Sequence, residues 1–272
     1  MAEYLIREEQ LKELADIVRS KIVGLFLVSD RSSISISSLP DDIINIGDGA
    51  FFSCRSLALT SLPSGITNIG NNAFFGCTSL ALTSLPSGIT NIKYGTFFSC
   101  RSLALTSLPE GITNIGHCAF DRCTNLALTS LPSGIPSIRN STFSNCTNLA
   151  ITSLPSGIIM IDDYAFDGCT NLALTSLPDG VIYINGGAFR NCRSLALTSL
   201  PEGITNISNQ AFYGCTNLTS LTFKGTPSNI ASDAFSGCTN LTTINVPWAE
   251  GEVADAPWGA TNATINYNYV IS

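Results

Sequence analysis

Residues 57–79 read LALTSLPSGITNIGNNAFFGCTS, and residues 80–102 repeat them with few changes. The period runs through most of the 272-residue chain. Cys54, Cys77, Cys100, Cys123, Cys146, Cys169, Cys192, Cys215 and Cys238 fall 23 residues apart, and only Cys118 of the ten cysteines is out of step. A fixed period of about 20–50 residues is the mark of stacked supersecondary units. In this register the chain divides into residues 1–33, nine units over 34–240, and a closing segment, 241–272, that begins as a tenth copy and then diverges.

Comparing the copies sorts positions by physics. Ile69 recurs as Ile46, Ile92, Ile115, Ile138, Ile161, Ile184, Ile207 and Ile230, and Phe74 recurs as phenylalanine from Phe51 to Phe235. Leu57, Leu62, Ile66 and Ala73 are nearly as constant. A position that stays apolar in each copy forms a ladder inside a coil, and one copy buries its apolar edge only against its neighbours. Pro63-Ser64-Gly65 suits a turn, with proline fixing φ and glycine relaxing the last position. Ala73-Phe74-Phe75-Gly76 predicts one short helical or 3₁₀ turn per coil. The expected fold is a β-rich solenoid, with strands about 4.8 Å apart.

The repeated unit resembles the BspA-like class of leucine-rich repeats, of the form C-x-x-L…P-x-x-I-x-x-I-G-x-x-A-F. Cys77, Leu80, Pro86, Ile89, Ile92 and Thr96-Phe97 carry the match, with Gly70, Ala73 and Phe74 supplying the glycine and the Ala-Phe pair in the preceding copy. The family spacing L-x-x-I-x-I-P stands at Leu241, Ile244, Val246 and Pro247, whereas most copies place the middle apolar residue one step earlier, as in Leu57, Leu59 and Leu62. Strict alternation breaks there, and which of Thr60 and Ser61 faces solvent is left open. The resemblance implies a leucine-rich-repeat fold and a role in adhesion to host proteins or other bacteria.

The ends differ from the repeats. Leu11, Leu14, Ala15, Val18 and Ile22 are spaced as one face of an amphipathic helix from about Glu8 to Val23. Such a helix would cap the first coil or serve as an attachment segment. Residues 4–24 and 246–269 resemble the terminal segments of phage and prophage repeat proteins, which implies that the N-terminal helix engages other virion proteins. In the tail, Ile265, Tyr267, Tyr269 and Ile271 alternate as a final strand, and Trp248 and Trp258 are large enough to cover the last coil.

The residue chemistry argues against an enzyme. Charged residues make up 12% of the chain and histidine occurs once, so acid–base groups are scarce. Thirteen Lys and Arg against 20 Asp and Glu give −7, which disfavours nucleic acid and anionic membrane surfaces. Without a run of about 20 apolar residues, no membrane-spanning helix is expected, and the opening MAEYLIREEQ does not read as an export signal.

The cysteine ladder reads as buried small hydrophobes rather than disulfides or zinc ligands. The neighbours His117 and Cys118 do not form a plausible nucleophile pair, and the pair Asp162-Asp163 lacks a calcium-loop pattern. The threonine ladder from Thr60 to Thr198 could order water, but duplication gives any position a ladder. No catalytic group, metal site or cofactor is expected.

The copies differ most usefully at the pair Thr67-Asn68, which becomes Pro136-Ser137, Ile159-Met160 and Ile182-Tyr183 in successive middle units, with Tyr164 in the adjoining loop. Ile159, Met160, Tyr164, Ile182 and Tyr183 therefore form the candidate partner-binding patch. The reading that follows is a non-enzymatic recognition module of a phage or prophage virion, tail-associated, binding a protein or glycan on a cell surface and found in the virion or outside the cell after lysis. The alternative is a bacterial cell-surface adhesin, and a cytoplasmic scaffold is a third reading.

Overall fold

The computed structural model describes Ser32 and residues 36–270. The proposed helix over 8–23 lies outside the described residues, as does Ile271.

Each unit is one coil, and coils 1–9 are numbered here from residues 34–56 to 218–240. The Asn-Ile pair of each copy is a two-residue strand: β1 (Asn45–Ile46), β2 (Asn68–Ile69), β3 (Asn91–Ile92), β4 (Asn114–Ile115), β5 (Ser137–Ile138), β6 (Met160–Ile161), β7 (Tyr183–Ile184), β9 (Asn206–Ile207) and β11 (Asn229–Ile230). Where these strands bond they pair in parallel and in register, as in Asn45 with Asn68 and Ser137 with Met160. The isoleucine of every pair points inward and is buried. Within a coil, the residues between one strand and its counterpart in the next coil carry the chain around the solenoid, which keeps neighbouring strands parallel.

The second edge of the coil, LALTSLP, answers the register question. Leu59 is buried, and Thr60 and Ser61 both face solvent. The chain therefore bends outward between Leu59 and Leu62 instead of alternating, and no strand forms on this edge among the described residues of coils 1–7. Regular strands return from coil 8 on: β8 (Ser199–Leu200), still in LALTSLP but paired with the re-spaced β10 (Ser220–Phe223), joins β12 (Thr243–Asn245) and β13 (Thr264–Asn266) in one parallel sheet of order β13-β12-β10-β8. In β10, Leu221 and Phe223 are buried, with Ser220 exposed and Thr222 half-buried between them. That is the period-2 pattern a half-buried strand requires.

The expected helical turn is not there: residues 36–270 contain no helix. In coil 1 the N–H groups of Ala50, Phe52 and Cys54 bond within the coil, to the carbonyls of Gly47, Gly49 and Phe51. Those of Gly49, Phe51 and Ser53 instead cross to Asn71, Ala73 and Phe75 of the next coil, at 2.8, 2.7 and 2.6 Å. Gly49 (φ 60°) and Ser53 (φ 61°) lie in the left-handed region, which a right-handed helix cannot contain. Consecutive turns with every second N–H spent on the neighbour replace the helix and bind the coils together.

Inside, the phenylalanine ladder is continuous. Phe51, Phe74, Phe97, Phe120, Phe143, Phe166, Phe189, Phe212 and Phe235 stack with centroids 5.1–5.6 Å apart and planes within 10° of parallel. Beside it, each of the eight in-register cysteines from Cys77 to Cys238 donates its thiol to the phenylalanine carbonyl of the preceding coil, at 2.9–3.0 Å. At the far end Trp248 and Trp258 are buried and meet Phe223 at 5.2 and 6.0 Å. The final strand is shorter than the sequence suggested. It ends at Asn266, with Ile265 and Tyr267 packed on the core, while Tyr269 is exposed.

Candidate functional site

The strand face brings four of the five candidate residues into one block. Met160 and Tyr183 are direct partners across β6 and β7, and the N–H of Ile182 bonds to the carbonyl of Ile159 at 2.9 Å. Ile158, Ile161, Val181 and Ile184 on either side of these pairs are fully buried, so the coil itself is held by other residues. Ile159 is 52% exposed and Tyr183 46%, while Met160 and Ile182 are half-buried. Next to the block, Ser137 pairs with Met160 on one side and Asn206 with Tyr183 on the other, which returns the surface to polar residues.

Tyr164 stands apart from the block, three residues past the end of β6, and is 43% exposed. Its φ of 54° places it in the left-handed region, where the same position of other coils carries Gly49, Gly95 and Gly187. For a bulky residue this conformation costs roughly 1–2 kcal/mol. The ring lies over Gly187 of the next coil, where a Cβ would come within 2.7 Å of two ring carbons. The strain was not legible in the sequence, although the alternation with glycine at this position was the available signal.

Carboxylates edge the block. Asp162 and Asp163 follow β6 directly; Asp162 accepts from Asn185 at 3.0 Å and Asp163 from the N–H of Gly186 at 2.7 Å. Asp179 lies exposed ahead of β7, and Glu202 takes the same place one coil on.

Among the other sequence candidates, the cysteine ladder is closed to solvent. Nine cysteines are buried and Cys118 is half-buried. Burial pushes the thiols of Cys100, Cys123, Cys146 and Cys192 well above their ordinary value, and also raises Cys118. They remain protonated at neutral pH, and a thiol is a poor nucleophile. Among the described residues, no three His, Cys, Asp or Glu side chains converge as a metal site, and no helix is long and apolar enough to cross a membrane.

The family described as BspA type leucine rich repeat region (6 copies) matches residues 26–150 and 137–254. The chain belongs to that family. Among solved structures, this BspA-type protein is similar to a leucine-rich repeat protein from Bacteroides ovatus, at 24% identity and a TM-score of 0.60, over 88% of this chain and 70% of that one. A leucine-rich repeat protein from Eubacterium ventriosum is 19% identical with a TM-score of 0.50, over 88% and 73% of the two chains. A leucine rich cell surface protein from Faecalibacterium prausnitzii is 24% identical with a TM-score of 0.44, over 79% of each chain. No curated protein matches the sequence. The family match and the first two likenesses establish the leucine-rich-repeat solenoid, and the matching family is a repeat family rather than an enzyme family.

Proposed function

We propose that this BspA-type protein is a non-enzymatic binding module whose recognition surface is the block Ile159, Met160, Ile182 and Tyr183, with Tyr164 at its margin, and whose partner is a protein. One observation carries the reading. Coils 2, 3, 4 and 8 place Thr-Asn at these two positions, so the fold does not require apolar side chains there. Aliphatic and aromatic groups surrounded by polar residues are the composition of an interface centre. The block offers few hydrogen-bonding groups, which suits a protein surface better than a glycan.

As its setting we propose a phage or prophage virion, on the resemblance of residues 246–269 and of the N-terminal stretch to phage-encoded repeat proteins. The bacterial cell surface is the second reading, favoured by the adhesins that the family resemblance brings. Density-gradient fractionation of an induced source culture, with this chain followed by mass spectrometry, separates them. Co-sedimentation with capsid and tail proteins supports the virion, and recovery with cell envelopes alone overturns it.

The block is tested by returning it to the repeat consensus with Ile159→Thr, Met160→Asn, Ile182→Thr and Tyr183→Asn. The variant should melt within a few degrees of the parent and lose most of the parent's capture on intact bacterial cells, read by flow cytometry. Unchanged capture by the folded variant would sink the assignment.

A further inference from the structure

A second set of exposed apolar side chains lies on the turn edge of the first coils. Phe52, Phe75 and Phe98 stack outside the core ladder, with centroids 4.6 and 4.4 Å apart and planes within 5°. Phe52 is 39% exposed, and Phe75 and Phe98 are half-buried. The fold does not demand phenylalanine here, because the next coils carry Asp121, Ser144, Asp167 and Arg190 at the same position.

Arginines accompany the stack. Arg55 and Arg101 follow Phe52 and Phe98 by three residues and are exposed, at a position that is threonine in six other coils. The guanidinium of Arg122 sits 5.9 Å from the centre of the Phe98 ring, with Nε 4.0 Å from the Asp121 carboxylate. On this Ala-Phe edge of coils 1–4, residues 47–56, 70–79, 93–102 and 116–125, the carboxylates are Asp48 and Asp121. Asp48 accepts the Asn71 N–H at 2.7 Å, and Asp121 faces Arg122. Arg55 and Arg101 therefore add cationic charge to this edge of a chain whose net charge is −7.

We propose that this aromatic and arginine ridge is a second docking surface, and that its occupant is an acidic protein segment. Two features select that chemistry. Rings stacked on one another present their edges to solvent, and an aromatic edge is the positive part of the quadrupole. The exposed Arg55 and Arg101, three residues past the outer rings, offer paired donors that match carboxylates. Single-stranded nucleic acid, the other polyanion, is held by bases stacking on open ring faces. Here Phe75 is covered on both faces by its neighbours and Phe98 by Phe75 and Arg122, which leaves at most one face of Phe52 for a base.

The test selects a phage-displayed library of random dodecapeptides on the full chain, in parallel with the Arg55→Thr, Arg101→Thr variant. Threonine is native at this position in neighbouring coils, so the variant should melt as the parent does. Enriched peptides should be rich in Asp and Glu beside Leu, Ile or Phe. They should bind the parent at least tenfold more tightly than the variant by fluorescence anisotropy, and lose affinity as salt is raised. Returning the block at Ile159–Tyr183 to consensus should leave this binding intact, which separates the two surfaces. The proposal is overturned by no enrichment, by peptides without acidic bias, or by equal affinity for the variant. Two further results also overturn it: a labelled oligothymidine that binds the ridge more tightly than the peptides, or arginine-dependent self-association of the chain.

Discussion

The thiol of Cys146 donates to the carbonyl oxygen of Phe120, 26 residues earlier and 3.0 Å away in the preceding coil. Burial pushes this thiol well above its ordinary pKa, with the neighbouring thiols of Cys123 and Cys169 adding to the shift. Thiol-specific labelling of the native protein should therefore modify Cys118 alone, and slowly, because burial raises that thiol as well. Denaturation should release the other nine. Peptide mass mapping reads both states, and rapid native labelling at Cys146 would contradict the buried ladder.

Phe143 lies between Phe120 and Phe166 at 5.6 Å from each. Replacing it with alanine removes a fully buried ring and two stacking contacts, a loss of about 3–5 kcal/mol by the usual cost of such truncations. Because a solenoid is stabilised through nearest-neighbour interfaces, the breach should also weaken the coupling between the two halves. Urea unfolding of Phe143→Ala should show a lowered midpoint and a broadened or two-step transition. An unchanged midpoint would mean that the ladder adds little.

Burial lifts the Asp121 carboxyl above the ordinary carboxylate range, against the opposing pull of Arg122. A carboxyl whose folded-state pKa is raised costs stability when ionised, and that cost is relieved as pH falls through the raised value toward the unfolded value of 3.8. Asp121→Asn should therefore melt higher than the parent at pH 7, and the advantage should shrink as pH approaches 4. Thermal melts across that range check the sign. A variant that melts lower at pH 7 would show that the Arg122 pairing outweighs burial.

Gly70 and Gly111 occupy different parts of the coil and should respond oppositely to the same change. A Cβ on Gly70 would collide with the backbone of Gly47 and Asp48, whereas one on Gly111 meets nothing within 4 Å. Gly70→Ala should lower the melting temperature clearly. Gly111→Ala should leave it unchanged or raise it, by up to about 1 kcal/mol of stability through the unfolded chain. Equal effects at the two sites would refute the close approach of coils at Gly70.

Most of the coil was legible because repetition supplies its own comparison. Nine isoleucines in the Ile69 column and nine phenylalanines in the Phe74 column stay apolar while positions around them vary, which is what an inward face requires, and all of them are buried. Two local features were not. A Gly-stopped Ala-Phe-Phe run looks like a helical turn, but alternating left-handed residues such as Asn72 and Gln210 are a backbone choice that side-chain type barely signals. Between Leu59 and Leu62 the spacing showed that alternation fails without showing that Thr60 and Ser61 both turn outward. The block at Ile159–Tyr183 was found by comparing copies. The ridge at Phe52 was missed because its phenylalanines sit beside the core ladder and read as part of it.

The inter-coil thiol bond keeps the same geometry from Cys77 to Cys238, so one internal interface is interchangeable with the next. Loss or gain of a whole 23-residue unit through misaligned recombination between near-identical repeats would thus create no new kind of junction. The sheet of β8, β10, β12 and β13 closes the C-terminal end whatever the copy number before it. Reach, and the spacing between the ridge near one end and the block in the middle, can then vary in steps of one coil while the fold stays constant.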